Sequence, residues 1–184
     1  MKLLVCVTLL LLPAIACSQA MWGETRAGMS PDEFLAAYPQ AVDAGEELRE
    51  STESTAYYVL DSVEFQGGSF KGRFFFKEDG LETVSLSFNS SDAQEVAAMS
   101  LRLLNSFIAM HGRPPGQEKL ESPFVTSHIF TWEVEGVEVE LGHMAAGRVH
   151  GVDLRYVDKR RESGGEQETS PNDSLKRTDQ SLRD

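Results

Sequence analysis

Residues 70–88 read FKGRFFFKEDGLETVSLSF. Apolar side chains recur at nearly every second position, and basic or serine side chains occupy the positions between them. A period of two residues is typical of β-strands with one buried and one solvated face. Asp79-Gly80 is a favoured turn dipeptide, so the stretch predicts an antiparallel hairpin. The predicted buried positions are Phe70, Phe74, Phe76, Val84, Leu86 and Phe88.

Strand patterns of the same kind lie on both sides of this hairpin. Upstream, residues 57–65 are rich in aromatic and β-branched side chains and precede a predicted turn at Gly67-Gly68. Downstream, apolar and polar side chains alternate in three further segments, two of which are separated by a predicted turn at Glu135-Gly136. These predicted strands cover residues 124–132, 137–141 and 152–156.

Two helices are predicted between the strand groups. Ser30-Pro31-Asp32-Glu33 combines a capping box with proline at the first helical position, and Pro39 limits this helix to a short one. A longer helix is predicted after Ser91 as its capping residue. It ends at Gly112, and Pro114-Pro115 prevents its continuation.

These elements predict a single α+β domain over residues 21–157. We expect two helices packed on one face of a largely antiparallel sheet of about six strands. A helix followed by three strands occurs twice, which suggests a possible helix-βββ pseudo-repeat. The acidic segment 41–53 is interpreted as a solvated loop or a short exposed helix.

Residues 1–20 have the organisation of a secretory signal peptide. Lys2 precedes an apolar run from Leu3 to Leu12, and small residues follow Pro13. The run is shorter than the roughly 20 apolar residues that a membrane-spanning helix needs. We therefore expect an exported protein that is either periplasmic or secreted.

Two cleavage sites remain open. Cleavage after Ala20 would release a soluble protein. Cleavage before Cys17, where Ala14-Ile15-Ala16-Cys17 is similar to a bacterial lipobox, would make Cys17 a possible lipidation site and the protein a membrane-anchored lipoprotein. Either cut removes Cys6, so we expect no intrachain disulfide in the mature chain.

Residues 158–184 are predicted to be a disordered polar tail. Leu175 and Leu182 are the only large apolar side chains in this segment. Such a composition buries too little apolar surface to offset the entropy lost on ordering.

The negative charge belongs to the predicted domain. The chain of 184 residues has a net charge of −12, and residues 21–157 carry 10 basic and 22 acidic side chains. Such a surface repels phosphate backbones and anionic lipid headgroups, so nucleic-acid binding and electrostatic membrane docking are disfavoured. The charge favours a partner protein with a basic surface, in the envelope or the extracellular space. Membrane contact is expected only through Cys17.

No catalytic, cofactor or metal motif is present in the sequence. It lacks HExxH, cysteine pairs and a G-x-S-x-G elbow, so we predict a protein without catalytic activity or cofactor. His128 and His150 lie on the apolar faces of two predicted strands. They would approach each other if these strands were neighbours, and a metal would then be possible. A hydrogen-bonded strand histidine is the preferred interpretation.

The segment Gly28-Met29-Ser30-Pro31-Asp32-Glu33-Phe34, followed by Tyr38-Pro39, resembles the entry helix of small bacterial envelope domains. These are the SmpA/OmlA (BamE-type) assembly lipoproteins and proteins with the β-lactamase-inhibitor-protein-like fold. The resemblance implies helices covering an antiparallel sheet and a non-catalytic scaffold or binding domain. It implies no active-site residues.

We therefore expect an exported, non-catalytic bacterial envelope protein that acts as a protein-binding or scaffold domain. Trp22, just before the first helix, is a possible partner contact, although packing as part of an N-terminal lid is the preferred interpretation. The alternative is a periplasmic carrier that holds a small ligand on the sheet face. Candidate rings for such a site are Phe74, Phe124, Phe130 and Trp132. An apolar cavity of several hundred Å³ would favour the carrier.

Overall fold

The structure is a computed structural model that describes residues 19–78, 80–122 and 125–162. Its centre is an antiparallel sheet with the strand order β1-β2-β3-β4-β8-β7-β6-β5. The strands are β1 (Val42–Asp43), β2 (Ala56–Phe65), β3 (Gly68–Lys77), β4 (Gly80–Ser90), β5 (Gly116–Glu121), β6 (Val125–Val134), β7 (Val137–Ala146) and β8 (Val149–Asp158). The helices are α1 (Pro31–Ala37), α2 (Glu46–Ser51), α3 (Ala93–His111) and α4 (Lys159–Glu162).

The predicted α+β fold, with two helices on a sheet of about six strands, is wrong. The described residues form an eight-stranded sheet with a single long helix, α3, so the fold is predominantly β. The predicted helix-βββ pseudo-repeat is wrong as well, because four strands rather than three follow α3.

The extra elements lack the apolar pattern by which strands are recognised in a sequence. Strand β5 has the sequence GQEKLE and is almost entirely exposed. Apolar and polar side chains therefore do not need to alternate along it. It is held by backbone pairing with β6. Strand β1 is two residues long, and α2 lies within the acidic segment that was interpreted as a loop or a short exposed helix.

The sheet consists of two meanders that meet at the pairing of β4 with β8. Strands β2 to β4 form one meander and β5 to β8 form the other. At the junction, Val84 is opposite Tyr156 and Leu86 is opposite Leu154. Each meander contains a two-residue turn whose two residues have positive φ, which is the type I′ pattern. These turns are Gln66-Gly67 and Glu135-Gly136.

The Gln66-Gly67 turn lies one residue before the position predicted from the sequence. Gly68 is the first residue of β3 rather than part of the turn. A Cβ atom at Gly68 would collide with the terminal methyl group of Met99 on α3. Glycine at this position therefore leaves room for the Met99 side chain in the conformation that it adopts here.

Helix α1 begins as the sequence predicted. The Ser30 hydroxyl accepts a hydrogen bond from the Glu33 backbone N–H, and the Glu33 carboxylate accepts one from the Ser30 backbone N–H at 2.9 Å. That backbone hydrogen bond is the main reason why the pKa of Glu33 lies below its usual range. Glu33 also pairs with Arg26, which ties the helix to the segment before it.

Helix α3 begins one residue later than predicted. Asp92, not Ser91, is the N-cap, and its carboxylate accepts a hydrogen bond from the Gln94 backbone N–H at 2.8 Å. The helix ends at Gly112, whose φ of 79° few other residues adopt without strain. It packs over β4, β8 and β7. Its buried side chains are Val96, Met99, Ser100, Leu103 and Phe107.

The remaining part of the same sheet face is covered by α1 and its single fully buried ring. Phe34 is 0 % exposed, and its ring centroid lies 4.5 Å from that of Phe74 and 5.6 Å from those of Tyr58 and Phe76. Of the positions predicted to be buried in β3 and β4, Phe70, Phe74, Phe76, Val84 and Leu86 are buried, whereas Phe88 is half-buried. The predicted solvated face of β4 is not fully solvated, because Thr83 and Ser87 are buried as well.

The described part of the chain continues slightly beyond the predicted domain. Asp158, predicted to begin the tail, ends β8 and is buried, and the four residues of α4 follow it. The rest of the predicted tail, residues 163–184, and residues 1–18 of the predicted signal peptide lie outside the described residues. None of the helices in the described ranges is both long and apolar enough to cross a membrane.

We expect Phe34→Ala to lower the free energy of unfolding by about 3–5 kcal/mol, because it removes a fully buried ring from an aromatic cluster. Urea unfolding followed by circular dichroism measures this loss. The control is Leu101→Ala on the solvent side of α3, where the side chain is 59 % exposed. That change should stay within about 0.5 kcal/mol. Similar losses in the two variants would contradict the described packing.

Candidate functional site

A cleft of about 610 Å³ lies on the helix-covered side of the sheet. It forms where the N-terminal segment, the end of β2, the end of α3 and the β6–β7 turn meet. Most of its lining is apolar, from Ala20, Met21, Trp22, Phe65, Phe107, Met110, Val134, Val137 and Val139. The polar residues of the lining are Glu64, Gln66, His111, Glu135 and Tyr156.

The first wall of the cleft is the segment that precedes α1. The Ala27 N–H donates to the Gln19 carbonyl at 2.9 Å, and Ala20 forms a β-bridge with Arg26. The Gly28 N–H then donates to the Leu81 carbonyl at 2.9 Å, which fixes the segment to the start of β4. These backbone bonds hold the wall in place without a regular helix or strand.

Trp22 is part of this wall. Its indole stacks on the Tyr38 ring with a centroid distance of 5.9 Å and packs against Phe74 at 6.0 Å. The Tyr38 hydroxyl accepts a hydrogen bond from the Glu24 backbone N–H at 2.9 Å, which fixes the ring beneath Trp22. Trp22 therefore packs within the N-terminal segment and also lines the cleft. Its role as a partner contact stays a prediction.

The second wall is the C-terminal turn of α3. Phe107 packs against Trp132 with a centroid distance of 5.4 Å, and the Trp132 indole N–H donates to the Gly112 carbonyl at 3.0 Å. This hydrogen bond ties the end of the helix to β6 beneath it. Met110 lies at the rim with 59 % of its surface exposed, although it is a large apolar residue.

Among the polar residues in the described lining of the cleft, Tyr156 is the one that is buried. It lies on β8 between Val84 of β4 and Val139 of β7, and it is 7 % exposed. Burial raises the pKa of its hydroxyl, which therefore stays protonated at neutral pH. Within the described part of the chain, no hydrogen bond to this hydroxyl is formed. Among the described residues, the buried side-chain oxygens without a partner are those of Gln19 and Glu82, so the Tyr156 hydroxyl oxygen itself reaches solvent. It can therefore bond water or a molecule in the cleft.

The cleft does not include the rings that the sequence suggested for a carrier. Phe74 and Trp132 are almost fully buried beneath the helical cover, and Phe130 is half-buried on β6. Phe124 lies outside the described residues. The cleft has no local signature in the sequence, because its lining comes from segments that are far apart in the chain.

The histidines form a row rather than the pair that was considered from the sequence. His128 on β6 is directly opposite His143 on β7, and His150 on β8 is opposite Ala145, two residues further along β7. Strands β6 and β8 are therefore not neighbours, because β7 lies between them. Among the described residues, no group of three potential ligands is placed to hold a metal. No metal or pairing role was predicted for His143. Its sheet face could have been assigned from the sequence, because it continues the alternation of Val137, Val139 and Leu141.

His143 is the histidine of the row with a perturbed pKa. Burial lowers the pKa of its imidazole, and the charges of His128 and His150 lower it further. A neutral side chain is therefore preferred at this position. The row is a set of mutually repelling bases once the pH falls.

Two smaller grooves lie on the opposite face of the sheet. They have volumes of about 340 and 310 Å³, and Ser85 and Arg155 line both. Asp153 lines the second groove, where burial raises the pKa of its carboxyl although Arg73 opposes this rise. Arg155 pairs with Glu140 at 3.3 Å. The first of these grooves is more polar than the large cleft, whereas the second is about equally apolar.

Comparisons with known proteins add no relative. No protein-family model, curated protein or solved structure matches this chain. Cys17, the possible lipidation site, lies outside the described residues.

We expect acid to destabilise the fold partly through His143. Its folded-state pKa lies below the ordinary value of 6.5, so the unfolded chain binds more protons in the interval between the two values. Stability should therefore fall as the pH drops through the ordinary histidine range, and the loss should level off below the folded-state pKa. Urea unfolding of the wild type and of His143→Gln at about pH 7.5 and pH 5.5 measures the effect.

The His143→Gln variant should lose less stability between the two pH values than the wild type does. His111→Gln is the matched control, since His111 lies on the last turn of α3, away from the row. If both variants showed the acid sensitivity of the wild type, the histidine row would not be its source.

Proposed function

We propose that this protein is an exported, non-catalytic binding protein that carries a small, largely apolar ligand in the cleft. The observation that carries the proposal is the cleft itself, whose lining is mostly apolar and includes the neutral hydroxyl of Tyr156. The cleft volume of about 610 Å³ lies within the range of about 300–1,000 Å³ that is usual for small-molecule sites. Such sites combine apolar walls with a few polar groups that orient the ligand.

The polar groups of the cleft support binding rather than catalysis. The titratable side chains in its described lining are Glu64, His111, Glu135 and Tyr156. Within the described residues, no hydrogen bond joins any two of them, so a paired nucleophile and base is not formed there. The raised pKa of Tyr156 also makes it a poor proton donor at neutral pH.

A scaffold that binds a basic protein is the second candidate function. It is supported by the net charge of −12 and by the open face of the sheet, opposite α3, where Glu133 of β6 lies directly across from Glu138 of β7. The ligand carrier is preferred because a cleft of the expected size is present. Blocking the cleft separates the two functions, since it should leave a contact on the open face intact.

We expect the neutral fluorophore N-phenyl-1-naphthylamine to bind in the cleft and Val134→Trp to weaken this binding at least about tenfold. Val134 is half-buried in the lining, next to the β6–β7 turn, so the larger indole fills space that the fluorophore needs. A fluorescence titration measures the dissociation constant of each variant.

Val149→Trp is the matched control. Val149 is the first residue of β8, beside the β7–β8 turn, and it is 55 % exposed and does not line the cleft. Binding should therefore match that of the wild type. No binding by the wild type, or equal binding by both variants, would refute the carrier function.

Export remains part of the proposal, and the N-terminal segment supports the cut before Cys17. Gln19 and Ala20 pair with Ala27 and Arg26, and Ala20 lines the cleft. Cleavage after Ala20 would remove both residues together with these backbone contacts. The folded domain therefore favours keeping residues 19 and 20.

We expect the mature chain from a bacterial host to begin at Cys17 with a mass increase that corresponds to lipidation. Intact-mass spectrometry of protein extracted from the membrane fraction measures this. Cys17→Ser should abolish the added mass and the membrane association. A mature chain that begins at Met21 would contradict the expectation and favour soluble export.

A further inference from the structure

We infer that the cleft selects cationic, single-chain amphiphiles over anionic ones of the same chain length. This inference rests on the proposed function, because it assigns the chemistry of the ligand that the cleft receives. The ligand would place its hydrocarbon chain between the two walls and its positive headgroup at the rim.

The charges at the rim point to a cation. Glu64 and Glu135 line the cleft, both are exposed, and neither forms an ion pair within the described part of the chain. No lysine or arginine is found in the described lining, and His111 is its one basic residue. An anionic headgroup would meet two like charges there, whereas an ammonium group would meet two opposite ones.

Two arginines close to the cleft do not make the charge at its rim positive. Arg160, close to the β6–β7 turn, pairs with Asp158 at 2.8 Å. Arg102 donates a hydrogen bond to the neutral Gln66 carbonyl at 2.7 Å and keeps its charge, so this edge of the cleft has one positive charge against the two carboxylates of the rim. The domain as a whole also carries an excess of acidic side chains. The field at the mouth of the cleft therefore favours positive charge.

The interior of the cleft suits the remainder of such a molecule. Phe65 and Phe107 present apolar surface, and Trp22 adds an aromatic ring that attracts ammonium groups. Tyr156 adds a hydroxyl that forms no hydrogen bond with any described residue and is open to the cleft. Its neutral hydroxyl can accept a hydrogen bond from, or donate one to, a polar atom of the ligand.

The test is displacement of N-phenyl-1-naphthylamine by three dodecyl amphiphiles, each below its critical micelle concentration. Dodecyltrimethylammonium is cationic, dodecyl sulfate is anionic, and octaethylene glycol monododecyl ether is uncharged. The cationic compound should displace the fluorophore at a concentration about tenfold lower than the anionic one. Added salt should reduce this preference, because the rim is solvent-exposed.

The double variant Glu64→Gln/Glu135→Gln should lose the preference, leaving the two charged compounds within about threefold of each other. Its control is Glu46→Gln/Glu47→Gln, which changes the net charge equally but lies on α2, outside the described cleft lining. The control should keep the preference of the wild type. Circular dichroism and binding of the fluorophore show whether each variant retains its fold and its cleft.

The outcomes separate this inference from the proposed function. If the fluorophore binds but both charged amphiphiles displace it equally, or the sulfate does so better, the cleft is a ligand site and the inference is wrong. If the fluorophore and all three amphiphiles fail to bind, both are wrong. A preference that survives in the Glu64→Gln/Glu135→Gln variant would also overturn the inference.

Discussion

The structure depends on covering one face of a wide sheet. Alternation along every long strand directs apolar side chains to the same face, and one helix of 19 residues cannot cover eight strands. The chain completes the cover with Phe34 of α1 and with the buried side chains Met21, Ala27 and Met29 of the preceding segment. The cleft lies between the N-terminal segment and the end of α3, where neither of them covers the sheet completely.

The local features of the fold could be predicted from the sequence. The capping box at Ser30, the glycine that ends α3 and the buried faces of β3 and β4 are all set by neighbouring residues. The number of strands could not be predicted in this way. Strand β5 is stabilised by backbone pairing at an exposed edge, where selection for apolar side chains is absent, and its charged residues suit an edge that must not pair further.

The candidate site was less predictable than the fold because it has no local signature. Tyr156 has the alternation of any core strand residue, and only the three-dimensional structure shows that its hydroxyl has no partner there. The histidines illustrate the same limit. The faces of His128 and His150 could be assigned from parity, but the strand order that places His143 between their strands could not. A two-residue alternation of apolar and polar side chains shows which sheet face a side chain occupies. It does not show which strands pair with each other.

The junction of β4 with β8 has a kinetic consequence. Each meander forms from hairpins whose strands are close in sequence, whereas the junction joins Val84 to Tyr156 across most of the domain. Forming it requires closure of a long loop before its contacts can stabilise anything, and such contacts slow folding. Helix α3 connects the meanders and packs on both strands of the junction, so formation of this helix before docking would shorten that search. We therefore expect the docking of the two meanders beneath α3 to limit the rate of folding.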